Sequence, residues 1–187
     1  MEPRIAKRVR LVWIGGHEHE GIAVSPPGGQ KVEYNLGIDL KAAQIIFNQS
    51  EIPIWQVPRD AYRQALVSYA ELRNRMNEEG RLASFLLNRL RDLVKRANAN
   101  LGEAYVLGDS PLVLLTALQS GWESDPSSSR YTNMPTPKIT DAGLYEADSP
   151  SRQMRVYTQL DTRLMFEDFY AKVAQFDQSV KEVRSDE

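Results

Sequence analysis

Arg10-Leu11-Val12-Trp13-Ile14-Gly15-Gly16 is a short apolar run closed by two glycines, the pattern of a buried parallel strand that delivers a turn at its carboxyl end. Working outward, Asp39 stands where a helix can begin, and Ala42, Ala43, Ile45, Ile46 and Phe47 supply the buried side of a helix from Leu40 to Phe47. Ile52-Pro53-Ile54-Trp55-Gln56-Val57-Pro58 reads as the next strand, with Pro53 near its start and Pro58 closing it. Strand, helix and strand in this order make a parallel β-α-β unit and place the chain in the α/β class. Ligands of open α/β sheets bind outside the carboxyl ends of the strands, so the residues after Ile14 are where a site is expected.

Two polar stretches lie there. His17-Glu18-His19-Glu20 invites a metal reading, but alternating polar residues after a strand are usually a solvated loop, which is the expectation for it, and residues 21–30, with Pro26-Pro27-Gly28-Gly29, form a flexible or lid-like connection. Val32-Glu33-Tyr34-Asn35-Leu36-Gly37-Ile38-Asp39 then sets a carboxylate and a carboxamide two residues apart. Read as an extended segment, it points Glu33 and Asn35 to the same side, an arrangement suited to the hydroxyls of a polyol.

Beyond the second strand, apolar residues recur at three and four positions from Asp60 to Met76 and again from Leu82 to Val94, predicting two half-buried helices. Arg81, Arg89, Arg91, Lys95 and Arg96 give the second a basic face, read as solvated. Ala104 to Leu107 is an extended entry to Gly108-Asp109-Ser110-Pro111, where Pro111 suits the first position of a buried helix through Leu118. Asp109 or Ser110 can cap that helix, and as a cap Asp109 is worth about 1 kcal/mol. Residues 121–137, rich in Ser, Pro, Asp and Asn, are expected to be a long loop. Arg155 to Leu160 alternates like an edge or late strand, and Asp161 introduces a last helix through Leu164, Phe166, Phe169, Val173 and Phe176. One domain over residues 1–177 and a charged tail over 178–187 are expected.

The composition excludes several classes. With 187 residues and no cysteine, disulfide staples and thiolate chemistry are ruled out, and two histidines disfavour a multi-histidine zinc site. A formal charge of -2 offers no electrostatic reason to expect nucleic acid as a partner. No run of about 18 apolar residues is present, so no membrane partner is expected and the cytoplasm is the expected compartment.

Val12-Trp-Ile-Gly-Gly16, Val32-Glu-Tyr-Asn-Leu-Gly-Ile-Asp39 with Ala42-Ala43, and Leu107-Gly-Asp-Ser-Pro111 together resemble the carboxyl-terminal portion of the nucleoside hydrolases of the inosine-uridine-preferring type. The resemblance implies an open, mostly parallel sheet flanked by helices, here lacking its amino-terminal strands. It also implies hydrolysis of the N-glycosidic bond of ribonucleosides, to ribose and base, by a calcium-activated water. On that likeness Glu33 and Asn35 are substrate-binding contacts to ribose hydroxyls, and Asp109 is a ligand of weakly bound calcium. The sequence departs from the family pattern in three places. It has no Asp-x-Asp-x-x-x-Asp-Asp motif, which carries the catalytic aspartate and most calcium ligands, so no catalytic residue is assigned. Gly108 stands where many purine-accepting members have histidine, and Pro26-Pro27-Gly28-Gly29 occupies the place of an expected asparagine. The isolated chain is therefore expected to be inactive, and its partners to be a ribonucleoside and either further copies of itself or a complementary amino-terminal half. The alternative is a non-catalytic nucleoside- or sugar-binding or structural partner module. Tyr105, Trp122 and Tyr131 are candidate stacking residues for a base.

Overall fold

The computed structural model describes residues 3–76, 80–96, 102–118, 128–148 and 151–185. After a 3-10 turn over Pro3–Lys7, the first elements are β1 (Leu11–Ile14), α1 (Tyr34–Ile38), α2 (Leu40–Gln49), β2 (Ile54–Val57) and α3 (Arg59–Tyr62). Next come β3 (Leu66–Ser68), α4 (Tyr69–Arg75), α5 (Arg81–Arg96), β4 (Ala104–Val106) and α6 (Pro111–Thr116). The last are β5 (Arg130–Pro135), β6 (Lys138–Ile139), β7 (Tyr145–Glu146), β8 (Gln153–Gln159) and α7 (Thr162–Ser185). They form two compact units, the first made of Met1–Ala65 with Gly108–Asp161 and the second of Leu66–Leu107 with Thr162–Glu187.

The first unit is built on a four-stranded sheet in the order β1-β2-β8-β5. β1 pairs with β2 and β2 with β8 in parallel, while β5 runs antiparallel on β8, so the α/β, mostly parallel architecture is observed. The β-α-β expectation holds in detail, since Leu11 registers with Ile54 and Ile14 with Val57. α2 starts where Asp39 Oδ1 accepts from Ala42 N at 2.9 Å, the local bond that makes Asp an effective cap. One face of the sheet and α2 close on Leu36, Phe47, Ile54, Ile139, Met154 and Val156. β8 is interior, between β2 and β5, because Met154, Val156 and Tyr157 are all buried.

The second unit pairs β3 with β4 antiparallel and packs Val67, Leu72, Met76, Ala83, Leu87, Tyr170 and Val173 into a core of its own. Asp177 in α7 accepts from Leu82 N at 2.9 Å and holds the start of α5.

Four local expectations are corrected. The segment after Glu33 is helical, because the Glu33 carboxylate caps α1 through Leu36 N and its carbonyl accepts from Gly37 N. Asn35 and Glu33 thus do not share one side of a strand. The long helix from Asp60 to Met76 is divided into α3 and α4 by β3, which pairs with β4 while Ser68 Oγ caps α4 at Glu71 N. Within the expected loop, residues 130–135 are β5, stitched to β8; residues 119–127 lie outside the described set. α7 continues past Phe176 to Ser185. No helix of the described residues is long and apolar enough to cross a membrane.

Candidate functional site

At the carboxyl end of β1 the chain turns through Gly15 and Gly16. Gly16 has φ +86°, and a Cβ there would run into the Tyr145 hydroxyl and the Gln56 amide, so only glycine fits. Gly16 N donates to Glu33 Oε2 at 2.7 Å, Leu36 N donates to the same oxygen at 3.0 Å, and Tyr62 Oη donates to Glu33 Oε1 at 2.9 Å. Glu33 is 1% exposed. Both its oxygens are engaged by the protein, and it ties the β1 turn, α1 and α3 together. Burial, then the adjacent Glu33 carboxylate, pushes the Tyr62 phenol far up, keeping it a proton donor.

The loop between β1 and α1 is held by a second buried group. Arg59 Nε and Nη2 meet the two oxygens of Glu18 at 2.7 and 2.6 Å, and Arg59 Nη1 donates to Gln30 O at 2.8 Å. Ser25 Oγ adds a bond to Glu18 Oε2 at 2.9 Å. Burial works to raise the Glu18 carboxyl, but the bonds from Arg59, the backbone and Ser25 outweigh it and hold it down to about 2.

His17 and His19 bond to different partners. His17 Nε2 donates to Gly143 O at 2.7 Å, and His19 Nε2 to Gln56 Oε1 at 2.7 Å. The Gln56 amide is oriented by its own donation to Gly15 O and Tyr145 Oη, both at 2.8 Å. The His19 ring stacks on Tyr145 with centroids 4.9 Å apart, and burial lowers its pKa, so it is a neutral donor at pH 7.

Beside these clasps, and still within the first unit, lies a cavity of about 440 Å³ along β1, lined also by Asn35, Ile38, Asp39, Ala42, Ala43, Ile46, Phe47, Asp109 and Leu112. Its walls are apolar, with Trp13 edge-on to Phe47 at 5.5 Å. Three polar side chains face it: Asn35, which also donates to Ile14 O at 3.2 Å, Asp39 and Asp109. Asp109 is exposed, and the cap position of α6 belongs to Ser110, whose side chain makes no capping bond. Neither Asp39 nor Asp109 forms an ion pair among the described residues.

Asn35 and Asp109 therefore line one cavity, whereas Glu33 is not among its lining residues. Calcium takes six to eight oxygen ligands. Among the described residues no group of three His, Cys, Asp or Glu comes together, so these residues do not by themselves fit a calcium cage. Of the three aromatic candidates, Tyr131 stands at 5.7 Å from the Tyr157 ring with Arg155 over its face, Tyr105 is half-buried in β4, and Trp122 lies outside the described residues. Arg59, Tyr62, Gln56 and Tyr145 went unread as site-supporting residues. An Arg directly after Pro58, at the end of a parallel strand, was the available signal for the first of them.

No family model matches the chain. Over 183 aligned residues it is 31% identical to the inosine-uridine preferring nucleoside hydrolase of Crithidia fasciculata, an alignment that takes in 92% of this chain and 53% of that protein. The likeness supports the nucleoside hydrolase family, and the chain spans about half the length of this relative.

Proposed function

We propose that the chain is a nucleoside hydrolase-like protein whose cavity along β1 receives a ribonucleoside, with hydrolysis of the N-glycosidic bond as the activity of the complete family fold. The observation that carries this reading is the 31% identity to an inosine-uridine preferring nucleoside hydrolase over 92% of the chain. The cavity adds chemical support: Asn35, Asp39 and Asp109 offer acceptors and a donor to sugar hydroxyls, and the Trp13 and Phe47 rings offer apolar surface to a base. Its two carboxylates disfavour a phosphorylated ligand. Asp109 is also proposed as one oxygen ligand of a weakly bound calcium ion. The cytoplasm is the proposed compartment.

A second reading, a sugar- or nucleoside-binding module without turnover, is favoured by two features. Glu33 has both oxygens engaged by protein donors, and no catalytic base faces the cavity among the described residues beyond Asp39 and Asp109.

Calorimetric titration of the 187-residue chain with inosine, uridine and ribose, with and without calcium, tests both readings, alongside an assay for released ribose. Saturable binding is expected, weakened about five- to tenfold by Asn35→Ala. Binding without ribose release supports the module for this chain. Absence of binding to all three ligands overturns the placement of a ribonucleoside in this cavity.

A further inference from the structure

The clasp that joins Glu18 to Arg59 has a third member, and it lies at the surface. Ser25 is exposed, beside Val24 at 88% exposure. Its Oγ donates to Glu18 Oε2 at 2.9 Å and accepts from Arg59 Nη2 at 3.2 Å. Pro26 follows it, and a residue before proline is held in extended backbone, the form in which a peptide enters the cleft of a protein kinase. Two other Ser or Thr residues precede prolines among the described residues, and neither is placed in this way. Thr136 is 2% exposed and donates to Arg152 O at 2.8 Å. Ser110 is half-buried, in helical backbone at the start of α6. Ser25 is thus the Ser-Pro hydroxyl that an enzyme can reach, and it already lies against a guanidinium.

We propose that Ser25 is a phosphorylation site and that a phosphate there opens the Glu18–Arg59 clasp. The phosphoryl donor is ATP. The Ser25 oxygen bonds to its γ-phosphorus, the bond to the ADP oxygen breaks, and the hydroxyl proton goes to the base of a proline-directed kinase. The product carries about two negative charges and no longer donates to Glu18. Arg59 is the cation on which this cluster depends, since Glu18 takes its Nε and Nη2. The cluster is already rich in anions: Asp60 Oδ1 is buried with no hydrogen-bond partner among the described residues, and burial, with Glu18 adding to it, raises the Asp60 carboxyl. A dianion on the oxygen that touches Nη2 draws the guanidinium away from a singly charged carboxylate. Glu18, 3% exposed, is then left beside like charge. The limb of the loop that Glu18 anchors is thereby released. The inference stands on the clasp and does not depend on the ribonucleoside reading.

Incubation of the 187-residue chain with a proline-directed kinase and ATP, read by phosphopeptide mass spectrometry and by hydrogen exchange over residues 17–25, tests it. One phosphate at Ser25 is expected, absent from Ser25→Ala, with exchange of that segment about tenfold faster or more. The charge argument adds a reversal of sign. In Glu18→Gln, Arg59 lacks its carboxylate, so the same phosphate supplies the missing charge and is expected to slow exchange and raise the denaturant midpoint. Where that variant does not fold, exchange in the unsubstituted chain decides. Absence of phosphate at Ser25, phosphorylation that leaves exchange of the unsubstituted chain unchanged or slower, or faster exchange in phosphorylated Glu18→Gln overturns the proposal.

Discussion

Four carboxylates stand near the carboxyl end of β1 or its cavity, and they divide into two kinds. Glu18 and Glu33 are buried and met by several donors each, while Asp39 and Asp109 are exposed along the cavity and keep oxygens for a ligand. The difference teaches which side chains shape the site and which can do its chemistry. A buried carboxylate with all lone pairs directed at protein donors contributes rigidity. An exposed one keeps an oxygen open to what enters, even where, as at Asp39, the other oxygen caps a helix.

The largest break in this division comes from Glu18. Its side chain is 3% exposed and that of Arg59 is 8% exposed, so Glu18→Gln leaves a buried guanidinium without its counter-charge. Removing one partner of such a pair costs about 3 to 5 kcal/mol. Denaturant unfolding of the variant is expected to show a loss of that order, and a loss below about 1 kcal/mol would place the pair among solvated surface bridges.

Acid is the milder probe of the same bond. The Glu18 carboxyl titrates near 4.5 when unfolded and near 2 when folded. The folded state is therefore favoured above pH 4.5, and that contribution is lost as pH falls toward 2, at most about 3 kcal/mol. His19 adds a separate loss that begins below its ordinary 6.5, since burial lowers its folded pKa and the unfolded chain takes the proton first. Stability measured from pH 7 to pH 2 should fall in these two windows. The lower window should vanish in Glu18→Gln, and its persistence there would assign it to other carboxylates.

Much of the frame was legible in the sequence because its signals are local. The β1-α2-β2 order followed from an apolar run, a cap three residues from its donor and prolines bounding a strand. Asn35 was singled out as a carboxamide two residues from Glu33 and Asp109 by the family resemblance, and the structure sets both on one cavity. What escaped was non-local. Glu18 finds Arg59 at a separation of 41 residues and Glu33 finds Tyr62 at 29, and neither interval has a period that a linear reading can detect. The bonds of Glu33 escaped for the same reason: capping of α1 is a local act, but the hydroxyl and amide that complete its burial arrive from α3 and the β1 turn. The break at β3 was hidden because two short helices on one apolar rhythm look like one long helix until β4 supplies a partner strand.

Asp109→Asn sharpens the comparison from the other side, with the smallest expected effect on folding. The carboxylate makes no capping bond and no ion pair among the described residues, and asparagine preserves its shape, so unfolding free energy should move by no more than about 0.5 kcal/mol. Hydrogen bonds to a charged acceptor exceed those to a neutral one by about 1 kcal/mol, so the affinity for a ribonucleoside should fall about five- to tenfold. Chemical denaturation and calorimetric titration of the same preparation read the two quantities independently. A stability loss comparable with that of Glu18→Gln would move Asp109 into the structural class with Glu33. Unchanged stability with unchanged affinity would remove it from the ligand-facing set and leave Asn35 and Asp39 as the polar contacts of the cavity.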